Sequence, residues 1–226
     1  MSVVVLDDAA ALARATADLI LGEIRAGRRR LLLSGGTTPA RTYELLAQDA
    51  RPADYKGIHL FFSDERAVPP DHVESNYRMV RRAWLDPARF PPERVHRILG
   101  EVEADRAARL AEEDLRAVSG EPPVVDLGLL GLGTDGHTAS LFPGSSALRE
   151  TQRLFVASRA GRRITATFPL LNSVDRVIFL VAGAAKAEAL RAALEGSPGA
   201  VPASLVQPRS GPPTWLIDRE AASLLS

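Results

Sequence analysis

The residue best suited to chemistry in this sequence is His137, in the glycine-rich segment GLGTDGHTASLFPG that runs from Gly131 to Gly144. An imidazole titrates near neutral pH, so it can take a proton from water and return it within one turnover. Asp135, two residues earlier, is placed either to orient the imidazole or to bind a substrate hydroxyl. We interpret the segment as a loop that presents a general base.

The same segment matches the dinucleotide-binding pattern G-x-G-x-x-G, but we reject that interpretation. The fingerprint requires a long helix to follow, and Pro143 with Gly144 stops any helix within two turns. The stretch about 20 residues further on, RLFVAS, also lacks the acidic residue that binds a ribose. For the other histidines, His59, His72 and His96, we expect structural roles. No pair of histidines has metal-ligand spacing, so we predict no metal.

A second segment with chemical potential follows the apolar run RRRLLL and precedes a predicted helix. It consists of Ser34, Gly35, Gly36, Thr37 and Thr38, followed by Pro39. Two glycines let successive backbone N–H groups become accessible, and a helix start adds unpaired N–H donors and the positive end of a dipole. The segment is therefore suited to an anion such as a phosphate monoester. The alternative is a tight turn with a threonine N-cap and no ligand.

Charged residues follow another apolar run, in the segment Ser63-Asp64-Glu65-Arg66. In an extended chain Asp64 and Arg66 point to the same side, where a polar substrate would meet a carboxylate and a guanidinium. The alternative is a solvated loop with weak local ion pairs. Further on, ESN at residues 74–76 predicts a helix start, with Ser75 or Asn76 as its cap.

Short apolar runs alternate with longer helical stretches along the whole chain. The predicted strands are Val3–Leu6, Arg30–Leu33, Ile58–Ser63, Val124–Leu132, Leu154–Ala157, Val177–Val181 and Thr214–Ile217. The predicted helices are Asp8–Ala26, Ala40–Gln48, Ser75–Ala83, Glu103–Val118, Ala184–Leu194 and Arg219–Leu225. Helices of this length between strands favour parallel pairing. We predict the α/β class: one domain over residues 1–226, with an open, mostly parallel, Rossmann-like sheet and helices on both faces. In such sheets ligands bind beyond the carboxyl ends of the strands.

Composition excludes several other functions. The chain has 226 residues with 28 basic and 28 acidic side chains, and this balance argues against a general nucleic-acid binder. It has no cysteine, which removes disulfides, thiolate catalysis and Cys-ligated zinc. With acids at Asp7 and Asp8 and no long uncharged apolar stretch, we predict neither a signal peptide nor a membrane span, and expect a cytoplasmic protein. Only Lys56 and Lys186 are lysines, which raises the question of whether a compact ammonium is needed there.

These segments together resemble the 6-phosphogluconolactonase family over essentially the whole chain. SGGTTP, FFSDERAVP with SNY after it, and GLGTDGHTASLFPG stand in the family's order and spacing. RITATFPLLN at Arg163–Asn172 and VAGAAKAEAL at Val181–Leu190 complete the set. The resemblance implies an α/β fold shared with glucosamine-6-phosphate deaminases. It also implies hydrolysis of 6-phospho-D-glucono-1,5-lactone, the second step of the oxidative pentose phosphate pathway, without metal or organic cofactor.

The resemblance also implies roles for individual residues. The substrate phosphate lies on the Ser34–Thr38 loop, with Lys186 and Arg163 as cationic partners, although Arg162 is an alternative to Arg163. His137 draws a proton from water as it attacks the lactone carbonyl, and then protonates the ring oxygen.

Two further roles stay open between alternatives. Arg66 either stabilises developing negative charge or contacts the substrate directly. Asp64 and Asn76 hold either sugar hydroxyls or Arg66 itself. As partner we expect a small phosphorylated sugar lactone, with no nucleic acid and no membrane, and the chain as a monomer or weak homo-oligomer.

Two other functions remain as alternatives. The related deaminases share a glycine-rich phosphate loop and a Gly-x-Asp-Gly-His segment, but they carry a glutamate five residues after the histidine, where this chain has Phe142. Ring opening and amine release would lose that second carboxylate. A non-catalytic sugar-phosphate sensor would keep the anion loop and lose the base, and the presence of His137 argues against it.

Overall fold

The computed structural model describes residues 2–208 and 210–226, and it builds two β-sheets. The strands are β1 (Ser2–Leu6), β2 (Arg30–Leu33), β3 (His59–Phe62), β4 (Asp64–Arg66), β5 (Val95–His96), β6 (Leu127–Gly131), β7 (Phe155–Ser158), β8 (Arg163–Ala166), β9 (Arg176–Val181) and β10 (Thr214–Asp218). The α-helices are α1 (Ala9–Arg25), α2 (Thr37–Asp49), α3 (Asn76–Val80), α4 (Ala104–Ser119), α5 (Phe168–Leu171) and α6 (Ala187–Leu194).

The larger sheet has seven parallel strands in the order β1-β10-β9-β6-β2-β3-β5. From β2 the chain builds outward through β3 to β5, and it then returns to β6 and builds in the opposite direction through β9 to β10. The two directions diverge between β2 and β6, which pair at Leu31 and Leu127. Such a point of divergence leaves a crevice at the carboxyl ends of the strands. The prediction of an open, mostly parallel α/β sheet is confirmed.

The central strands are apolar along their whole length because both faces are covered. Leu31, Leu32 and Leu33 of β2 are fully buried in succession, as are most residues of β9. A strand with one wet face would instead alternate apolar and polar residues. Helix α1 begins after Asp8, whose carboxylate accepts a hydrogen bond from the Ala11 N–H at 2.8 Å.

The smaller sheet is antiparallel, in the order β4-β8-β7, and β4 and β8 are absent from the predicted strands. Strand β4 follows β3 with only Ser63 between them, so the sequence there reads as one strand running into a charged loop. Strand β7, predicted as Leu154–Ala157, pairs with β8 through a tight turn with Arg159, Ala160 and Gly161 at positive φ. A turn this short permits only antiparallel pairing.

Other differences concern the ends of elements. The predicted helix Ser75–Ala83 is α3 followed by a π-helical turn at Arg81–Leu85, and α6 is preceded by a 3₁₀ turn at Ala184–Lys186. The predicted helix Arg219–Leu225 is a 3₁₀ turn at Ala221–Leu224, because the buried Asp218 carboxylate accepts the Ala221 N–H at 2.7 Å and sets a tighter start. No helix in the described part of the chain has the length and apolar character needed to cross a membrane.

Candidate active site

A cleft of about 200 Å³ opens where the two strand directions diverge, beyond the carboxyl ends of β2, β3, β6 and β9. It brings together loops that are far apart in the sequence. Its walls are Ser34, Gly35, Gly36, Asp64, Arg66, Asn76, Gly131, Leu132, Gly133, His137, Ala139 and Lys186. Of the residues predicted for the site, Thr37, Thr38 and Asp135 do not line this cleft, and Arg163, which lies opposite the lining residue Arg66, is at its margin.

The loop after β2 leads directly into α2, which begins at Thr37 rather than at the predicted Ala40. Gly36 is the N-cap residue at φ 107°, and no side chain caps the helix, so the threonine N-cap is not formed. A Cβ on Gly35 would lie 1.9 Å from the Asn76 Oδ1 atom, so a larger residue here would force the buried Asn76 side chain to move. Among the described residues the buried Ser34 hydroxyl has no hydrogen-bond partner. An uncapped helix start beside an unpartnered hydroxyl is suited to an anion.

His137 is held by Asp135. Its Nδ1 atom lies 2.5 Å from Asp135 Oδ1, and its backbone N–H donates to the same oxygen at 3.2 Å. Burial raises the pKa of Asp135, but the hydrogen bonds from His137 lower it below its ordinary value overall. The carboxylate is therefore ionised at neutral pH and must accept the Nδ1 proton. In the neutral ring Nε2 then carries the lone pair, as a general base requires.

The approach of the loop backbone to these two side chains depends on Gly133. A Cβ there would lie 2.0 Å from His137 Nδ1 and 2.7 Å from Asp135 Oδ1. The Gly133 N–H donates to the His137 carbonyl at 2.8 Å, which closes the loop around the pair. The close contact between His137 and Asp135 therefore depends on a glycine at position 133.

Phe142 packs against the His137 ring. Its ring centroid lies 4.4 Å from that of His137, and the Arg159 guanidinium lies 4.0 Å over the same phenyl ring. The phenyl ring limits rotation of the imidazole and offers no proton donor or acceptor at this position.

Asp64 and Asn76 hold each other. The buried Asp64 carboxylate accepts from Asn76 Nδ2 at 3.1 Å, and the Asp64 carbonyl accepts from the same nitrogen at 2.9 Å. Arg66 is oriented instead by the Glu74 carbonyl, which accepts from its Nη1 at 2.6 Å. Within the described residues the buried Arg66 Nε has no partner. The alternative in which Asp64 and Asn76 fix the Arg66 side chain is therefore not supported by these contacts.

Glu65 is a positioning residue that the sequence analysis missed. Its buried carboxylate accepts from the backbone N–H groups of Asn76 at 2.7 Å and Tyr77 at 2.8 Å, and from the Ser75 hydroxyl at 3.0 Å. Burial raises the pKa of Glu65, although these bonds oppose the rise. Alternation along β4 turns Glu65 away from Asp64 and Arg66, which was the available signal that it faces the protein. Ser75 also caps α3 by accepting the Arg78 N–H at 3.1 Å.

Strand register distinguishes Arg163 from Arg162. Arg163 is half-buried and lies directly opposite Arg66 in the β4–β8 pair, whereas Arg162 is exposed. Burial and the neighbouring Arg66 lower the pKa of Arg163, and the nearby carboxylates of Asp64 and Glu74 oppose this effect.

Lys186 reaches the cleft from the turn after β9. The turn forms at Gly183, with φ 92°, and its N–H donates to both carboxylate oxygens of Asp218 at 2.9 and 3.0 Å. Asp218 is buried at the end of β10 and was not predicted as part of the site. Burial lowers the pKa of Lys186, and nearby Asp135 partly restores it.

The remaining histidines lie in other settings. His59 lies at the amino-terminal end of β3, and His96 lies in β5. His59 Nδ1 is 2.9 Å from His96 Nε2, and His96 Nδ1 is 2.9 Å from Asp114 Oδ2. His72 lies in an exposed loop and accepts the Glu74 N–H at 3.2 Å. Within residues 2–208 and 210–226, no three His, Asp or Glu side chains are grouped closely enough to hold a metal ion.

The position of the cleft, at the strand divergence of an open parallel sheet, is that of an α/β enzyme acting on a small molecule. A family model described as glucosamine-6-phosphate isomerases/6-phosphogluconolactonase matches residues 7–215. The chain belongs to this family and is an enzyme.

Relatives and solved structures agree with this assignment. A 6-phosphogluconolactonase from Nostoc sp. is 42% identical, with 100% of this chain and 98% of that protein covered. The structure of a 6-phosphogluconolactonase from Trypanosoma cruzi has a TM-score of 0.87 and 30% identity, covering 100% and 97% of the two chains. A monomeric glucosamine-6-phosphate deaminase has a TM-score of 0.82 and 25% identity, covering 99% and 100%.

Proposed function

We propose that this chain hydrolyses 6-phospho-D-glucono-1,5-lactone to 6-phospho-D-gluconate, the second step of the oxidative pentose phosphate pathway, with His137 as general base. One observation carries the mechanism: His137 lines a cleft with cationic walls and is bound through Nδ1 to the Asp135 carboxylate. The 42% identical Nostoc protein bears the name of this activity.

In the proposed reaction His137 Nε2 takes a proton from water while the water oxygen forms a bond to the lactone carbonyl carbon. The resulting imidazolium is stabilised by Asp135, to which it remains bound. The bond between the carbonyl carbon and the ring oxygen then breaks, and the imidazolium returns its proton to that oxygen. General acid–base catalysis of this kind contributes about 10²–10⁴-fold, and it acts here on an ester that also hydrolyses slowly unaided.

The substrate phosphate is placed on the loop Ser34–Thr38, where α2 begins uncapped. Lys186, which lines the cleft, and Arg163 at its margin supply positive charge. Charge-assisted bonds to a phosphate are about twice as strong as neutral ones, so this end of the substrate provides most of the affinity.

Arg66 has two roles open to it. Its Nε is buried without a partner among the described residues, and Arg66 lines the same cleft as His137. It either stabilises the oxyanion that forms on the carbonyl oxygen or holds the substrate in place. Asp64, in the same wall, accepts sugar hydroxyls in this proposal.

Deamination of glucosamine 6-phosphate is the second candidate, favoured by the 0.82 TM-score to a deaminase of that sugar. In this chain the residue packed on His137 is Phe142, at 4.4 Å between ring centroids. A phenyl ring cannot move protons, so a reaction that needs a carboxylate at that place is disfavoured.

The decisive experiment measures lactone hydrolysis above the spontaneous rate, with ammonia release from glucosamine 6-phosphate run in parallel. We expect hydrolysis only. His137→Ala should reduce the catalysed rate below a tenth of the original. His59→Gln, at the amino-terminal end of β3 and so at the opposite end of the strand from the cleft, should leave the rate within about threefold. Ammonia release by the unmodified chain, or His137→Ala retaining more than about a tenth of the rate, would refute the proposal.

A further inference from the structure

Ser140, three residues after His137, is buried to 1% exposure, and all three of its polar groups are engaged. Its hydroxyl donates to Asp64 Oδ2 at 2.6 Å, and its N–H donates to Thr165 Oγ1 at 3.0 Å. Its carbonyl accepts from the Ser158 hydroxyl at 2.8 Å. Two of these bonds fix the backbone of the loop, and the third reaches a cleft residue.

The hydroxyl and the backbone N–H of Ser140 donate to two residues that face each other on neighbouring strands. Asp64 and Thr165 lie directly opposite each other in the β4–β8 register. The loop that carries the base belongs to the larger sheet, since it follows β6, whereas Asp64 belongs to the smaller sheet. Ser140 therefore links the two sheets between His137 and Asp64.

Asp64 needs such a donor because it is buried, with only 7% of the residue exposed. Each of its oxygens has a close neutral donor: Asn76 Nδ2 on Oδ1 at 3.1 Å and the Ser140 hydroxyl on Oδ2 at 2.6 Å. The Ser63 hydroxyl also lies 3.5 Å from Oδ1. A carboxylate oxygen accepts about two hydrogen bonds, so Oδ2 retains capacity for a substrate hydroxyl. Without these donors a buried carboxylate would turn toward solvent.

We propose that Ser140 is a positioning residue that acts through Asp64: its hydroxyl sets the orientation of the carboxylate relative to the His137 ring. The inference rests on the proposed function in that it takes Asp64 as the acceptor of sugar hydroxyls. With Asp64 in this orientation, a polyhydroxylated ring is held with its carbonyl carbon beside the base. Loss of the bond therefore lowers kcat more than it raises KM, because the phosphate contacts remain and only the placement of the reacting atom is lost.

The test is Ser140→Ala, assayed for kcat and KM on the phosphorylated lactone. We expect kcat/KM to fall about 10- to 100-fold, the range for losing a hydrogen bond to a charged group. Ser140→Cys, which keeps a weak donor of similar size, should retain an intermediate activity. The matched control is Ser158→Ala, which removes a hydrogen bond to the carbonyl of the same residue and should change kcat/KM by less than about threefold.

A double-mutant cycle with Asp64→Ala separates positioning from a general packing role. If Ser140 acts through Asp64, then Ser140→Ala changes kcat/KM by less than about threefold once Asp64 is absent. The full effect persisting in the Asp64→Ala background, or a change below about threefold in the original chain, would overturn the inference.

The same cycle is measured on the dissociation constant for 6-phosphogluconate by calorimetry, so that turnover is not required. Coupling between residues 140 and 64 in binding supports the inference, and independent effects overturn it. Failure of the unmodified chain to hydrolyse the lactone would instead count against the proposed function alone. Urea unfolding of each variant shows whether the fold is retained, and Ser140→Cys serves if Ser140→Ala does not fold.

Discussion

Arg66 and Arg163 face each other across the antiparallel pair of β4 and β8. Arg66 lines the cleft together with Lys186, and Arg163 lies at its margin. Like charges directly opposite on neighbouring strands destabilise a sheet. The formal net charge of the whole chain is zero, so this concentration of positive charge is local. Such a pair is tolerated where an anion binds between or beside the two cations, which agrees with a phosphorylated substrate.

The two adjacent arginines at the start of β8 offer a matched test of that arrangement. Arg163→Ala should raise KM for the phosphorylated lactone about 10- to 100-fold, because a charge-assisted contact is lost. Arg162→Ala, at the exposed neighbouring position, should change KM by less than about twofold. Steady-state kinetics on both variants provide the measurement, and equal effects would show that Arg163 has no special place in phosphate binding.

Asp135→Asn removes the charge that holds His137 while keeping the size of the side chain. An amide oxygen accepts a hydrogen bond but does not stabilise the imidazolium formed when the base takes its proton. We expect kcat to fall about 10- to 100-fold with KM changed little, since Asp135 does not line the cleft. Asp71→Asn, in an exposed loop, is the control. Unchanged kcat would mean that the 2.5 Å contact is not used in the reaction.

Gly133→Ala tests whether the close backbone approach matters for activity. The added methyl group would lie 2.0 Å from His137 Nδ1, so the imidazole must move. A displacement of this order costs about 10²-fold in rate, and we expect a loss of that size. Gly22→Ala is the matched control, because nothing lies within 4 Å of its Cβ and alanine favours a helix by about 0.5–1 kcal/mol. Full activity of Gly133→Ala would contradict the described loop geometry.

Asp54 provides a prediction for the pH dependence of stability. Hydrogen bonds from Arg25, at 3.0 and 3.2 Å, hold the pKa of Asp54 at about 2, despite the opposing effect of burial. The native carboxylate thus binds a proton less readily than the unfolded one. Its stabilisation is complete above the ordinary aspartate pKa near 4 and is lost as pH falls through about 2.

Asp54→Asn should therefore lower the free energy of unfolding at pH 7, by an amount that shrinks as the pH is lowered from about 5 toward about 3. Urea unfolding at a series of pH values measures the difference between the two chains. Asp18→Asn, which disrupts an exposed ion pair with Arg14, should cost less than about 1 kcal/mol. A difference between wild type and Asp54→Asn that stays constant with pH would show that Asp54 is not held as an ionised acceptor.

The parallel sheet, except for its two-residue edge strand β5, and the loops at its carboxyl ends follow from the sequence because both depend on local patterns. Runs such as RLLL and RVIFLV are apolar on both faces, and helix-length segments separate them. Glycine-rich segments directly after those runs locate the cleft, including His137 and the loop that begins at Ser34. These features need no knowledge of which distant residues meet.

The smaller sheet and the supporting carboxylates were not predictable in the same way. Strand β4 is three charged residues long, and its strand character comes only from pairing with β8, about 100 residues away. The Glu65 carboxylate accepts a hydrogen bond from a backbone N–H 11 positions away in the sequence, and the Asp218 carboxylate accepts one from a backbone N–H 35 positions away. No local sequence pattern specifies either contact. Whether Arg162 or Arg163 faces inward also depends on register, because one residue of slip exchanges the two faces.

The single residue Ser63 separates β3 from β4, yet the cleft draws Asp64 and Arg66 from one sheet and His137 and Lys186 from loops of the other. A molecule held in the cleft therefore adds contacts between two sheets that are already joined by Ser63 and by the hydrogen bonds of Ser140. Occupancy should slow the exchange of amide hydrogens in β7 and β8 together with those at the ends of β6 and β9, so that the layers open as one cooperative unit.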